Sequence, residues 1–166
     1  SWVSPSIEDW DAALPLRLCD DNRGWRQARD FARALAAHSR GRYLVGITDL
    51  HGNADALSAL RGPERLCLDF LDDPETVERA MRDMRAAFRQ IYEGIYQAGG
   101  MGPATGTSCW IPFWCEGRYA TIQCDFICMV GPEIARRFIL PALEEEAEYL
   151  DHCVYHLDGP GALVHL

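Results

Sequence analysis

The chain of 166 residues is 48% hydrophobic and 25% charged, a composition typical of one folded domain rather than of a disordered segment. A formal charge of −9, without a run of basic residues, excludes a partner recognised through its phosphates, so we expect neither nucleic acid nor an anionic membrane surface. No apolar stretch has membrane-spanning length, and the first residues lack a basic-then-apolar signal pattern, which predicts a cytoplasmic protein.

The seven cysteines are odd in number and irregularly spaced, which favours reduced thiols over a disulfide framework. Most of them lie in apolar segments, where a thiol packs as a small hydrophobic group. Cys124 and Cys128 are four residues apart and Cys115 precedes them, so a thiolate metal site stays open beside simple packing.

The N-terminal segment, residues 1–24, shows no periodicity and contains turn-forming residues, which predicts an extended arm fixed to the surface by Trp2 and Trp10. Apolar residues then recur at helical spacing over 25–38 and predict an amphipathic helix. We therefore expect an N-terminal arm and helix over 1–41, followed by the main body of a single domain over 42–166.

The first predicted strand covers 43–48 and is followed at once by Asp49 and His51. A short helix is predicted over 54–61, and a long one over 74–97, where Asp and Pro precede an apolar stripe as helix starts prefer.

The segment from Met101 to Gly117 is rich in glycine, proline and aromatic residues and includes Trp110 and Trp114. Such a loop is either a mobile lid over a ligand or a hydrophobic plug, and the sequence favours neither alternative.

The last third of the chain contains two further predicted strands, 119–124 and 152–157, separated by a helix over 132–150 that Pro141 should kink or break. Asp125 follows the first of these strands, and His156 and Asp158 lie at the carboxyl end of the second. Because strand side chains alternate, His156 and Asp158 share one face of that strand and Tyr155 the other.

Strands that alternate with helices predict an α/β fold with parallel pairing through crossover helices. The sequence predicts three strands and a possible fourth within 100–110, which are too few for a complete eight-stranded barrel. In α/β proteins the carboxyl ends of the strands surround the ligand site, so the polar residues found there are the candidates for chemistry.

Five stretches, in this order along the chain, resemble the uroporphyrinogen decarboxylase superfamily, which includes zinc-dependent methylcobamide:coenzyme M methyltransferases. They are 42–46 (Arg-Tyr-Leu-Val-Gly), 68–77 (Leu-Asp-Phe-Leu-Asp-Asp-Pro-Glu-Thr-Val), 97–100 (Gln-Ala-Gly-Gly), 131–141 with Gly-Pro-Glu and Phe-Ile-Leu-Pro, and 155–159 (Tyr-His-Leu-Asp-Gly). The resemblance implies a partial (β/α)8 TIM barrel, with the rest of the barrel outside this chain.

Carried over by position, the resemblance places Asp125 close to substrate and His156 on the histidine of the methyltransferases' zinc motif. Asp158 stands where those enzymes have a cysteine, and a carboxylate is a harder ligand for zinc than a thiolate. The arginine-rich motif by which the decarboxylase holds porphyrin carboxylates has no counterpart here. The resemblance therefore implies an enzyme of unknown substrate, either a methyltransferase with a corrinoid protein partner or a decarboxylase, with zinc as the cofactor to test.

From these patterns we expect His156, Asp158 and Asp125 to be catalytic, and His156 and Asp158 to be the ligands if a metal binds. The expected substrate-binding residues are His51, Asp49, Trp110, Trp114 and Tyr155. Two alternatives stay open: a barrel that binds a small molecule under an aromatic lid without catalysis, and a purely structural role for His156. A partial barrel exposes sheet edges, which favours companion segments or self-association into a homo-oligomer.

Overall fold

The computed structural model describes the backbone of residues 4–165 and the side chains of residues 4–163. Its α-helices are α1 (Trp10–Ala13), α2 (Arg23–Ser39), α3 (Asn53–Arg61), α4 (Pro63–Asp72), α5 (Pro74–Ala98), α6 (Pro132–Ile134) and α7 (Leu140–Tyr149). The strands are β1 (Tyr119–Gln123) and β2 (His152–His156), and 3-10 helices cover Asp125–Met129 and Pro160–His165. In this part of the chain, none of the helices is both long enough and apolar enough to cross a membrane.

Strands β1 and β2 pair in parallel, with Tyr119 opposite His152 and Gln123 opposite His156. The connection between them runs through α6 and α7, as parallel pairing requires. This mixed, helix-rich arrangement agrees with the predicted α/β class. Within residues 4–165 the sheet contains these two strands, so the eight-stranded barrel is not seen.

The prediction of a strand over 43–48 is wrong, because this segment is irregular in the structure. Its backbone makes one hydrogen bond to the neighbouring loop, from Ile47 N–H to the carbonyl of Ser108 at 2.7 Å, and no ladder follows. An apolar run becomes a strand only if a partner strand supplies the hydrogen bonds. The possible fourth strand within 100–110 is likewise reduced to isolated bridges, Gly102 with Gly106 and Thr107 with Cys115.

The helices predicted over 25–38, 54–61 and 74–97 agree with α2, α3 and α5 to within two residues. Sequence reasoning missed α4, and it missed α1, which lies within the predicted extended arm. Helix α5 begins where it was expected, because the side chain of Asp73 accepts a hydrogen bond from the Thr76 N–H and Pro74 occupies the first turn. The predicted break at Pro141 is also confirmed: a π-helical turn, Ala135–Ile139, interrupts the segment immediately before α7.

The N-terminal arm is fixed to the body of the protein by Trp10, which is 7% exposed. Its indole N–H donates to Asp69 at 2.9 Å, and the Arg61 guanidinium binds the same carboxylate at 2.7 Å. Trp10 and Trp25 belong to the same continuous cluster of buried side chains as the body of the protein. Trp2, the other predicted anchor, lies outside the described residues.

Helices α2 and α5 pack closely because Gly94 leaves room for the Trp25 ring. A Cβ atom at position 94 would lie 2.5 Å from two carbons of that ring. We therefore expect Gly94→Ala to destabilise the protein by about 1–2 kcal/mol, since the overpacking outweighs the better helix propensity of alanine. Chemical denaturation measures this change, and Gly102→Ala, where a Cβ meets nothing within 4 Å, is the control. Equal stability of the two variants would contradict the prediction.

Candidate functional site

Six polar side chains meet at the carboxyl end of β1, and we call them the polar cluster. They come from the irregular segment before α3, from α3, from β1 and the residues after it, and from the end of β2: Asp49, His51, Asp55, Gln123, Asp125 and His156. Four of the six were expected at the site from the sequence. This edge of a parallel sheet is where ligands usually bind, because the loops leave a crevice there.

His51 is held on both ring nitrogens by carboxylates. Its Nδ1 lies 3.2 Å from Asp55 Oδ2 and its Nε2 lies 3.2 Å from Asp49 Oδ2, while its side chain remains 46% exposed. Partial burial alone lowers the pKa of His51, but the hydrogen bond to Asp55 and the charges of Asp49, Asp55 and Asp125 together raise it above its usual value. The imidazole is thus open to solvent and ready to hold a proton near neutral pH.

Asp55 is buried and organises the backbone around the cluster. Its carboxylate accepts the Phe126 N–H at 2.8 Å and the Asp125 N–H at 3.1 Å. It also faces the Cys124 thiol, with Sγ 3.7 Å from Oδ1. These contacts, together with His51, use the lone-pair positions of both oxygens and satisfy the first N–H groups of the 3-10 helix Asp125–Met129. Asp55 therefore fixes His51 and Asp125 next to each other.

Gln123, the last residue of β1, is 2% exposed and lies between the two histidines. Its amide nitrogen lies 2.9 Å from both Asp49 Oδ1 and His51 Nε2. Its amide oxygen lies 3.0 Å from His156 Nδ1. Because an amide carries a donor and an acceptor on opposite sides, this one side chain connects the imidazole of His51 to that of His156.

The Asp125 carboxyl group has a raised pKa. The causes are burial first, then the negative charges of Asp55 and Asp158, and the charges of His51 and His156 oppose them only in part. Its Oδ1 atom is buried without a hydrogen-bond partner in the described structure. A half-buried carboxyl group of this kind is suited to exchanging a proton with a nearby base or ligand.

A second, deeper layer lies beneath the cluster and consists of Asn53 and Glu146. The Asn53 amide donates to the Gln123 carbonyl at 3.1 Å and to Glu146 Oε1 at 3.2 Å, and both side chains are at most 3% exposed. Burial is the main cause that raises the pKa of Glu146 to about 7. A Cβ atom at Gly52 would lie 2.6 Å from Glu146 Oε1 and would force that side chain to shift.

The remaining candidates divide between the cluster and other surfaces. Trp110 packs edge-on against His156 with ring centroids 5.1 Å apart and is 43% exposed. Asp158 is exposed at the end of β2. Tyr155 points to the other face and lines an apolar groove of about 260 Å³ beside α7. Trp114 instead closes its own loop by donating to the Thr105 carbonyl at 2.9 Å.

Sequence reasoning missed Asp55, Gln123, Asn53 and Glu146. A signal existed for Asp55 and Asn53, because residues 49–55 are Asp-Leu-His-Gly-Asn-Ala-Asp, with a polar side chain at every second position. The signal for Gln123 was weaker: it is an amide at the end of a buried strand that is otherwise mostly apolar. Glu146 is the third of three consecutive glutamates and gave none, since burial depends on what packs against α7.

The donors present fit a metal ion poorly. His156 and Asp158 offer zinc one nitrogen and one carboxylate, fewer than the three or four protein ligands of usual zinc sites. His51, Asp55 and Asp125 place ligand atoms within 4.8 Å of one another, but Asp55 is already saturated by N–H and S–H donors. A metal there would have to displace the bonds that hold Asp125–Met129. The possible thiolate site is not formed by the described residues, since the Cys124 thiol faces Asp55 and the Cys128 thiol faces the Asp158 carbonyl.

Together these features define a helix-rich α/β protein whose polar, titratable cluster lies at the carboxyl end of two parallel strands. Comparisons of the chain with protein-family models, with curated proteins and with solved structures each found no match.

Proposed function

We propose that this chain carries the proton-transfer site of an enzyme that acts on a small molecule, with His51 and Asp125 as the acid–base pair. The observation that supports the proposal most directly is the position of His51, held between two carboxylates and yet 46% exposed. A structural histidine gains nothing from such exposure, whereas a catalytic one must reach substrate. Asp125 offers a second titratable group beside it, with one oxygen free of hydrogen bonds.

The charge of the cluster favours a neutral or cationic substrate. Asp49, Asp55 and Asp125 lie around two histidines, and the cluster contains no lysine or arginine. A substrate rich in carboxylates would meet like charges here, and this repulsion costs free energy. His156 and Trp110 lie beside the cluster and supply a nitrogen and an aromatic edge for substrate orientation.

The proposed site is compatible with the uroporphyrinogen decarboxylase superfamily, which the sequence resembles. A uroporphyrinogen decarboxylase-like (β/α)8 barrel would place β1 and β2 as neighbouring parallel strands and would put their carboxyl ends at the catalytic mouth. In that setting the chain would contribute part of a methyltransferase, with a corrinoid protein as the partner, or part of a decarboxylase. The negative charge of the cluster favours the methyltransferase, because the substrate of a decarboxylase carries a carboxylate. The position of the polar cluster supports this arrangement.

The test is proton exchange catalysed by the full chain in D₂O. A panel of neutral and cationic compounds with a weakly acidic C–H bond beside a carbonyl, imine or pyrrole group is incubated with the protein, and deuterium uptake is followed by mass spectrometry. We expect uptake by at least one class of compound. His51→Gln and Asp125→Asn should each slow it by about 100-fold, the usual contribution of one acid–base group. His152→Gln, an exposed histidine on β2, is the matched control.

The outcomes separate the two functions that the cluster could serve. Exchange that survives both substitutions would contradict the acid–base assignment. Compounds that raise the melting temperature without any exchange would instead favour a binding protein in which Trp110 covers the ligand, and Trp110→Ala should then abolish the shift.

A further inference from the structure

We propose that the Gln123 amide couples the proton states of His51 and His156, so that protonation of the first histidine changes which nitrogen of the second carries its proton. The catalytic use of this coupling rests on the proposed function, but the coupling itself does not. It follows from two contacts on opposite sides of one buried amide, at 2.9 Å to His51 Nε2 and 3.0 Å to His156 Nδ1.

When His51 is neutral and carries its proton on Nδ1, the Gln123 amide sets the tautomer of His156. The Nδ1–H of His51 donates to Asp55, and Nε2 carries a lone pair that accepts one N–H of Gln123, while the second N–H donates to Asp49 Oδ1. Asp49 Oδ2, 3.2 Å from Nε2, makes no hydrogen bond to His51 in this state. The Gln123 oxygen then accepts from His156, which requires the proton of His156 on Nδ1. His156 Nε2 is left with a free lone pair and acts as a base. In water a free imidazole prefers the opposite tautomer, so the amide imposes this one.

When His51 takes up a proton on Nε2, the contact with Gln123 brings two N–H groups face to face at 2.9 Å. A half-turn of the amide about its terminal, easily rotated bond removes this conflict. The amide oxygen then accepts from His51 Nε2–H, and the amide nitrogen donates to His156 Nδ1. His156 loses its Nδ1 proton to water and takes one on Nε2, with no change in its charge, so the pair gains one proton in all.

The surroundings allow this turn. Asp49, which loses the amide N–H, has a side chain 47% exposed, so it can turn away from the amide oxygen toward water, while its Oδ2 accepts from the newly protonated Nε2 of His51. The groups that face His51 are Asp49, Asp55, Asp125 and Gln123, and those that act near His156 are Gln123, Trp110 and Asp125. Three carboxylates thus favour the proton on His51, and none of these contacts holds His156 Nδ1 except the Gln123 amide. Gln123 is therefore a positioning residue, which acts on substrate through His156.

The experiment is a pH titration of the full chain labelled with ¹⁵N at histidine, in which long-range ¹H–¹⁵N correlations report the tautomer of each ring. Replacing His51 and His156 one at a time by asparagine assigns their signals. At high pH we expect His156 with its proton on Nδ1, and we expect its switch to Nε2–H at the same midpoint as the protonation of His51. Gln123→Met should abolish the switch and leave His156 in the Nε2–H form, whereas Gln97→Met, at an exposed amide on α5, should leave both signals as in the unchanged protein.

Two results would overturn the coupling: His156 in the Nε2–H form at high pH in the unchanged protein, or a His156 tautomer that ignores the protonation of His51. If Gln123→Met does not fold, Gln123→Glu serves instead, because a carboxylate accepts from both rings and should lock His156 with its proton on Nδ1 at every pH. The readout needs no substrate. A tautomer switch without deuterium exchange would leave the coupling standing and reject the proposed enzyme, and the reverse result would reject the coupling alone.

Discussion

Replacing Asp55 with alanine is expected to destabilise the protein by about 3 kcal/mol. The substitution removes the acceptor for the Phe126 and Asp125 N–H groups and for His51. Hydrogen bonds to a charged acceptor contribute roughly 1.5–3 kcal/mol, and an N–H left buried without a partner adds a desolvation cost. Because the Phe126 N–H is buried, water cannot easily replace the Asp55 carboxylate as its acceptor.

Denaturation in urea measures this loss as a lower midpoint with an unchanged slope. Asp55→Asn keeps one oxygen and should lie between the parent and the alanine variant. Asp30→Ala is the control, because Asp30 pairs with Arg33 on the exposed face of α2 and such pairs contribute at most about 1 kcal/mol. If Asp55→Ala costs no more than Asp30→Ala, the carboxylate does not organise the site.

Replacing Glu146 with glutamine is expected to stabilise the protein in a strongly pH-dependent way. The folded-state pKa of Glu146 is about 7, raised from 4.5, so the folded protein binds this proton more tightly than the unfolded chain does. Burial of the ionised form therefore lowers stability progressively as pH rises from about 4.5 to about 7, and the penalty is constant above that range. The shift in the pKa of Glu146 from 4.5 to about 7 corresponds to a loss of stability of about 3 kcal/mol.

Glutamine has no charge to bury and keeps an oxygen for the Asn53 amide. The difference in unfolding free energy between Glu146→Gln and the parent should be small at pH 4 and should grow to its full value by pH 8. Taking this difference at each pH cancels the contributions of the titrating groups that do not interact with Glu146. Glu144→Gln, an exposed neighbour on α7, is the matched control and should show no such growth. A flat difference for Glu146→Gln would show that Asn53 satisfies the ionised carboxylate fully.

Much of the fold was predictable because its signals are local. The start of α5 follows from Asp73 and Pro74, and the break before α7 follows from Pro141. β1 and β2 agree with the predicted 119–124 and 152–157 to within a residue, since each is an apolar run bounded by turn residues. The segment 43–48 carries the same kind of signal and is irregular here, because a strand also depends on a hydrogen-bonding partner that no local pattern specifies.

For the candidate site, the sequence by itself determined which polar side chains stand at the ends of apolar runs: Asp49, His51, Asp125, His156 and Asp158. Asp125 and His156 lie at one edge of the sheet because the carboxyl ends of parallel strands meet there. Asp49 and His51 follow an irregular segment instead, and side-chain contacts with Gln123 and Asp55 bring them to the same edge. Only the tertiary structure decided which of them meet and how. Gln123 contacts Asp49 across 74 positions of sequence, and Asn53 contacts Glu146 across 93. Burial and pairing at such separations arise from packing between elements, and they set the pKa values on which the proposed chemistry depends.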